Sequence, residues 1–229
     1  MRHGETEFNQ LLKIQGWMDS PLTESGIEVA HLAGLGLREI QFDAAYSSDL
    51  LRAKRTAEII LKQNNYKETS LTALSELREV SFGDFGGKER STFRTACSKV
   101  LYGKENLALL DEQMLANEVT MKDLINIGYS LDKSGEAENY SVFVNRIVEA
   151  FKEMFKKAKQ EGHEKILVVG HGLAIFALIK EFAPEKVNVI GDIQNASVTR
   201  LRLMDKSILL VEDVASMDYV KRGKVTINN

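Results

Sequence analysis

The sequence is poor in cysteine and in long apolar runs, and each shortage excludes a class of protein. Cys97 is the one cysteine among 229 residues, which excludes an intramolecular disulfide and indicates a reducing compartment. No apolar run reaches the roughly 18 residues that a membrane-spanning helix requires. We therefore predict a cytoplasmic protein that has no membrane partner.

An excess of charge of one sign is also lacking. The chain has 30 lysine and arginine residues against 33 aspartate and glutamate residues, a formal net charge of −3. A nucleic acid or an anionic membrane surface attracts strongly basic proteins, so neither is expected as a partner. Repeats and linkers are absent too, while 44% hydrophobic residues suffice for a sizeable core. We predict one domain over residues 1–229, and the oligomeric state stays open, a homodimer included.

Histidine is scarce, and its spacing argues against a metal site. The four histidines are His3, His31, His163 and His171, and no cysteine or histidine pair has the spacing of a zinc site. A metal site built from His3, His171 and Glu79 is an alternative, but the neighbouring arginines would repel a cation. We predict no metal and no other cofactor.

The N-terminal triplet Arg2, His3 and Gly4 combines residue types that suit phosphate chemistry. An imidazole can act as a nucleophile and form a covalent intermediate, and a guanidinium matches the oxygens of a phosphate. Gly4 leaves room for an anion to approach backbone N–H groups. A histidine beside an arginine is equally compatible with a structural role. Function is favoured by a second glycine-flanked histidine, His171, which follows a buried strand.

Hydrophobic periodicity predicts strands that alternate with helices. Strands are predicted at 42–47, 71–77, 165–170, 196–203 and 208–214, and helices at 23–39, 49–63, 141–159 and 171–182. Three short helices, at 92–101, 107–115 and 120–127, are predicted within an inserted helical cap over residues 88–137. The polar composition from Ser216 onward indicates a mobile tail.

Arg52 is a second cation that the pattern singles out. It stands in the first turn of the helix at 49–63, just past the carboxyl end of a predicted strand. Ligands of open parallel sheets bind at that edge, and helix N-termini favour anions over cations. An arginine at this place predicts phosphate binding, whereas Arg55 is predicted to be solvated.

These motifs resemble the signature of the histidine phosphatase superfamily, also called phosphoglycerate mutase-like. The matching blocks are R-H-G-E-T-E-F-N (2–9), K-I-Q-G-W-M-D-S-P-L-T-E-S-G (13–26), Y-S-S-D-L-L-R-A-K-R-T-A-E (46–58), L-R-E-V-S-F-G-D-F-G-G (77–87) and V-V-G-H-G (168–172). They cover most of the chain except about residues 88–137 and the C-terminal end. The resemblance implies a three-layer α/β/α fold with a mostly parallel sheet and a helical cap insertion.

The resemblance also implies the roles of the site residues. It assigns His3, Glu79 and His171 to catalysis, and it assigns phosphate or substrate binding to Arg2, Asn9, Gln15, Gly16, Arg52 and Gly172. Glu79 matches the family's proton donor, which the chemistry needs because an alkoxide leaving group is too basic to depart unprotonated. Without the other matching blocks, Glu79 would be interpreted as a surface glutamate at a loop edge; with them, catalysis is favoured.

The start of the chain departs from the family pattern. In the family an apolar strand precedes the R-H-G triplet, whereas only Met1 precedes it here. We expect the natural protein to carry roughly four to six further apolar residues, the length of a short strand.

The resemblance implies a broad-specificity, metal-independent phosphatase that acts on a small phosphorylated metabolite through a phosphohistidine. Two alternatives stay open: a phosphoglycerate mutase-type phosphoryl transfer on the same site, and a non-catalytic phospho-ligand binder. Mutases of the family share an arginine-paired basic segment after the glycine loop, but no two basic residues are adjacent between 88 and 137. A binder would have lost a catalytic residue, and none is lost here. We therefore favour the phosphatase.

Overall fold

The computed structural model describes residues 1–66, 69–189, 193–203 and 209–227. The helices are α1 (Glu7–Gln10), α2 (Glu24–Leu37), α3 (Leu51–Gln63), α4 (Arg90–Tyr102), α5 (Leu107–Leu115), α6 (Met121–Leu131), α7 (Tyr140–Glu161), α8 (Gly172–Phe182) and α9 (Asp218–Ile227). The strands are β1 (Ala44–Ser48), β2 (Leu71–Leu74), β3 (Ile166–Val169), β4 (Val198–Leu203) and β5 (Leu209–Ser216). A 3₁₀ turn, Ser75–Leu77, follows β2.

The central sheet is parallel, in the order β2-β1-β3. Beside β3, the first residues of the chain continue the parallel pairing: Arg2 forms a parallel bridge with Gly170, and the His3 amide donates to the Gly170 carbonyl at 3.0 Å. The Arg2 amide donates to the Ser197 carbonyl at 3.1 Å. Ser197 directly precedes β4, which forms an antiparallel pair with β5. The predicted α/β class with a mostly parallel sheet is confirmed.

Helix α7 shows the apolar stripe that the periodicity predicts. Its residues at three- and four-residue spacing are buried (Phe143, Ile147, Phe151, Met154 and Ala158). Such a stripe is typical of a helix that packs on a core along one face. Although α7 is 22 residues long, neither it nor another helix of the described ranges is apolar enough to cross a membrane.

The chain divides into two compact units. The first contains Met1–Glu7, Ser20–Glu79 and Val144–Asn229, and the second contains Phe8–Asp19 and Val80–Phe143. The main core of the first unit joins buried residues of β1, β3, α2, α3 and α9. The core of the second unit contains Phe85 and Phe93, whose rings pack edge to face at 5.1 Å. The three short helices predicted between 88 and 137 are confirmed as α4, α5 and α6, while a single domain with an inserted cap stays a prediction.

The prediction of a mobile polar tail from Ser216 is wrong, because α9 occupies this stretch and packs tightly on α2. A Cβ atom on Gly36 would lie 1.9 Å from the Tyr219 carbonyl oxygen, and one on Gly223 would lie 1.9 Å from the Leu32 carbonyl oxygen. The two helices approach this closely only because both positions lack a side chain. The tail is polar on its exposed face, and composition alone does not reveal the buried one.

Candidate active site

Four neighbouring segments of the first unit bring polar side chains to the carboxyl edge of the sheet. His3 ends the N-terminal segment, His171 follows β3, Arg52 lies in the first turn of α3 after β1, and Glu79 follows the turn after β2. Ligands of open α/β sheets bind at this edge. The structure therefore places six of the predicted site residues on adjoining segments (Arg2, His3, Arg52, Glu79, His171 and Gly172).

The His3 side chain is buried and held in one orientation. Its Nδ1 atom lies 2.7 Å from the Gly4 carbonyl oxygen, and only 3% of the residue is exposed. Because a carbonyl oxygen can only accept a hydrogen bond, Nδ1 carries the proton, and Nε2 of the neutral ring keeps its lone pair. An unprotonated Nε2 is the form that a nucleophilic imidazole needs.

His171 faces His3 and is fully buried. The two ring centroids lie 5.3 Å apart with the planes tilted by 59°, and His171 precedes the first residue of α8 as its N-cap. Neither ring nitrogen of His171 has a hydrogen-bond partner among the described residues. A buried polar side chain in this state is costly, and an anion between the two rings would accept a hydrogen bond from its N–H group.

The pKa of each of these imidazoles lies well below its usual value. Burial is the main cause for both, and the positive charges of Arg52 and Arg2 lower the two pKa values further. For His3 the hydrogen bond to the Gly4 carbonyl acts in the opposite direction and raises the pKa. Both rings are therefore neutral at neutral pH when no anion is bound.

Arg52 and Arg55 differ as the sequence predicts. Arg52 is 1% exposed and acts electrostatically on both imidazoles. The Arg55 side chain is 62% exposed and pairs with Glu58 on the helix surface at 3.3 Å. One turn of α3 thus separates a buried cation at the sheet edge from a solvated one.

The charge of the site favours an anion over a cation. The Arg2 guanidinium donates through Nη1 to the Ile193 carbonyl, and it lies beside Gly172, where an added Cβ would come 3.7 Å from Arg2 Nε. Within the described ranges, no three His, Cys, Asp or Glu side chains are grouped so that they could hold a metal ion. Two guanidinium groups beside two neutral imidazoles suit the oxygens of a phosphoryl group.

The side chain of Glu79 is held by the first turn of α8, and Arg146 holds the loop after β2 to which Glu79 belongs. The Glu79 carboxyl group accepts a hydrogen bond from the Leu173 amide at 3.0 Å. The Arg146 side chain donates to the Glu76 and Arg78 carbonyls, both at 2.9 Å, and to the Glu79 carbonyl at 3.2 Å. Sequence reasoning missed Arg146, since its target is a set of backbone carbonyls that no motif marks.

The predicted reason for Gly4 is wrong. An added Cβ at Gly4 would lie 2.6 Å from the Gly26 carbonyl oxygen, so the missing side chain makes room for the first turn of α2. The Gly4 amide does not face an anion either, because it donates to the Thr56 hydroxyl at 2.9 Å. Sequence reasoning also missed Thr56 and Asn195. The side-chain amide of Asn195 donates to the His3 carbonyl at 2.9 Å.

The remaining predicted residues, Asn9, Gln15 and Gly16, belong to the second unit. The Asn9 carbonyl accepts from the Leu12 amide at 3.2 Å, and Gln15 is buried. Gly16 has a φ of +54°, and an added Cβ would lie 3.0 Å from the Val80 carbonyl oxygen. A glycine is required there by the backbone, and the binding role of all three residues stays a prediction.

The lowered pKa values predict a loss of stability in mild acid. Below pH 6.5 the histidines of the unfolded chain bind protons, while His3 and His171 in the folded protein stay neutral. The free energy of unfolding therefore falls as the pH is lowered, by up to about 1.4 kcal/mol per pH unit for each histidine. We expect His171→Gln to show a shallower decline than the wild type in urea denaturation from about pH 7 to about pH 5. An equally steep decline in both proteins would contradict the conclusion that His171 stays neutral in the folded protein.

Comparisons with known proteins agree with this geometry. The family model of the histidine phosphatase superfamily (branch 1) matches residues 1–104 and 112–213. The chain is similar to the crystal structure of phosphoglycerate mutase from Bacillus anthracis str. Sterne, with 36% identity and a TM-score of 0.88 over 97% of this chain and 94% of that one.

Two relatives carry different activities in their names. The metal-independent phosphoserine phosphatase of Arabidopsis thaliana is 30% identical over 97% of this chain and 85% of its own length. The 2,3-bisphosphoglycerate-dependent phosphoglycerate mutase of Buchnera aphidicola subsp. Cinara cedri is 29% identical over 93% of this chain and 91% of its own length. Both activities therefore occur among the relatives, and overall similarity does not decide between them.

Proposed function

The chain belongs to the histidine phosphatase superfamily, and we propose that it hydrolyses the phosphomonoester of a small metabolite through a phosphohistidine on His3. The observation that carries the proposal is the pair of buried imidazoles. His3 directs its proton to the Gly4 carbonyl and keeps Nε2 unprotonated. The ring centroids of His3 and His171 lie 5.3 Å apart. With the charges of Arg2 and Arg52 acting on both rings, this is an arrangement suited to in-line attack on phosphorus.

In the first step, Nε2 of His3 attacks phosphorus and forms an N–P bond while the bond from phosphorus to the ester oxygen breaks. The leaving oxygen takes a proton from the carboxyl group of Glu79. The imidazole then carries a positive charge, which the Gly4 carbonyl stabilises through the Nδ1 proton. Arg2, Arg52 and His171 donate hydrogen bonds to the three remaining phosphoryl oxygens, and such preorganised charge is usually the largest catalytic term.

In the second step, Glu79, now a carboxylate, takes a proton from water as the water oxygen attacks phosphorus. The N–P bond breaks, inorganic phosphate leaves, and His3 returns to its neutral form. The arrival of phosphate raises the pKa of His171, because an opposite charge stabilises the imidazolium. The positive charge that a metal could supply comes from arginine side chains, so the proposed steps require no metal.

A mutase uses the same intermediate but returns the phosphoryl group to a second hydroxyl. Family mutases resemble one another in an arginine-paired basic segment after the glycine loop, and this chain has none. Two of its isolated cations in that region pair with acids of the same unit: Arg94 contacts Asp111, and Lys99 lies 3.9 Å from Glu105. The lack of adjacent basic residues between 88 and 137 supports hydrolysis over transfer to a second hydroxyl.

The proposed substrate is a small phosphorylated metabolite. The names of relatives mention phosphoserine and phosphoglycerate, which share a phosphomonoester on a short, charged carbon chain. We include Asn9, Gln15 and Gly16 in the proposal as further phosphate- or substrate-binding residues, and Gly172 as a neighbour of Arg2.

The test is hydrolysis of an aryl phosphate with and without a chelator, followed by phosphoserine and 3-phosphoglycerate as substrates. We expect release of inorganic phosphate that the chelator leaves unchanged. Conversion of 3-phosphoglycerate to 2-phosphoglycerate faster than release of phosphate would establish the mutase instead. Phosphate release that the chelator abolishes would contradict the proposed mechanism.

A further inference from the structure

Thr56 is a buried hydroxyl residue that joins two parts of the candidate site. It lies on α3, one turn after Arg52, and is completely buried. Its Oγ1 donates to the Arg52 carbonyl at 2.7 Å and accepts from the Gly4 amide at 2.9 Å. The residue before Gly4 is His3, so one hydroxyl connects the backbone of the buried arginine with the peptide next to the candidate nucleophile.

The direction of these hydrogen bonds is determined. A threonine hydroxyl has one proton, and a carbonyl oxygen can only accept, so the proton of Thr56 points to Arg52. Its oxygen is then left to accept from the Gly4 N–H. This bond from a threonine to the carbonyl four residues earlier is a known alternative within helices, and it turns the lone pairs of Oγ1 toward Gly4.

The Gly4 backbone is fixed from a second side as well. An added Cβ at Gly4 would lie 2.6 Å from the Gly26 carbonyl oxygen, so α2 packs directly against Gly4. Thr56 holds the Gly4 amide, and α2 packs on the Gly4 Cα. The next peptide, which contains the Gly4 carbonyl, packs on α2 as well, since an added Cβ on Gly26 would lie 2.8 Å from the Glu5 nitrogen. The Gly4 backbone therefore has one orientation. In that orientation the Gly4 carbonyl accepts the Nδ1 proton of His3 at 2.7 Å.

We propose that Thr56 is a positioning residue for phosphoryl transfer: by fixing the Gly4 backbone through the amide, its hydroxyl holds the Gly4 carbonyl where it keeps the His3 proton on Nδ1 and the lone pair on Nε2. Thr56 itself does not reach the phosphoryl group. The expected effect on the rate rests on the proposed function, whereas the effect on the tautomer of His3 can be measured without any reaction.

Two substitutions and a matched control test the proposal by kinetics. Thr56→Val keeps the shape of the side chain and removes the hydroxyl, while Thr56→Ser restores it. Thr226→Val is the control, since Thr226 makes the same bond to the carbonyl four residues earlier, that of Arg222, at 3.1 Å on α9. We expect Thr56→Val to lower kcat for an aryl phosphate by about 10- to 100-fold, the scale of a misplaced reacting group, with KM unchanged. Thr56→Ser and Thr226→Val should retain the kcat of the wild type.

Nitrogen-15 NMR of labelled histidine, recorded without substrate, tests the tautomer itself, with His3 assigned from the spectrum of His3→Gln. We expect Nδ1–H alone in the wild type and a mixture of Nδ1–H and Nε2–H in Thr56→Val. An unaltered tautomer in Thr56→Val overturns the proposal even if kcat falls, and so does a Thr56→Ser variant as slow as Thr56→Val. If Thr56→Val does not fold, the wild type alone still tests the proposal, because a His3 ring protonated on Nε2 instead of Nδ1 would overturn it. A mutase activity would refute the proposed hydrolysis and leave this measurement untouched.

Discussion

Replacement of His3 by alanine is expected to lower kcat for phosphomonoester hydrolysis by about 10⁴- to 10⁶-fold, the scale seen when an enzyme loses its nucleophile. The reason is that the other groups of the site can bind and polarise the phosphoryl group but cannot form the N–P bond. His171 does not substitute for His3, because within the described part of the chain its Nδ1 has no carbonyl partner of the kind that holds His3 in one tautomer. Steady-state hydrolysis of an aryl phosphate measures the effect.

His31→Ala is the matched control for this prediction. His31 lies within α2, outside the segments that meet at the carboxyl edge of the sheet, and we expect the rate of the wild type. Thermal unfolding of both variants would show whether the fold is kept. Substantial hydrolysis by a folded His3→Ala variant would contradict the assignment of His3 as nucleophile.

The second large effect is expected at Arg52. Its guanidinium is 1% exposed at the sheet edge, where it can share the charge that develops on the phosphoryl oxygens. Arg52→Gln should lower kcat/KM by about 10²- to 10³-fold, by analogy with the loss of one donor to an oxyanion. Arg52→Lys should recover only part of this loss, because an ammonium group cannot form two parallel hydrogen bonds.

A change in pH dependence should accompany the loss at Arg52. The charge of Arg52 lowers the pKa values of His3 and His171, so its removal raises them. The neutral, nucleophilic form of His3 then disappears at a higher pH, and the acid limb of kcat/KM moves upward. Arg55→Gln, on the exposed face of the same helix, is the control. Equal effects of the two substitutions on rate and pH profile would exclude a role for Arg52 in phosphate binding.

Local patterns were sufficient to predict most of the first unit. The near-continuous apolar run before Gly170 indicates a buried parallel strand, and it places His171 at the edge of the sheet. The position of Arg52 at a helix N-terminus is similarly visible in the sequence. In both cases the information lies within one element and its neighbours along the chain.

Contacts between distant segments could not be predicted in this way. Thr56 and Arg146 form hydrogen bonds with backbone amides and carbonyls. Because almost every residue carries these groups, the sequence does not show which of them a distant side chain contacts. Gly36 and Gly223 reduce helix propensity when each helix is considered alone. They are explained only by the packing of α2 on α9, so the sequence of the C-terminal helix, taken alone, predicts a mobile tail.

In the proposed mechanism the phosphoryl group passes through His3, and rapid quenching of the enzyme during turnover can detect it there. The wild type, mixed with a phosphoryl donor and quenched under alkaline conditions that preserve phosphohistidine, would be digested and mapped by mass spectrometry. We expect one phosphoryl group on the peptide that contains His3, formed and lost at the rate of turnover and absent in His3→Ala. A phosphoryl group on another residue, or turnover by the wild type with no phosphorylated His3, would contradict it.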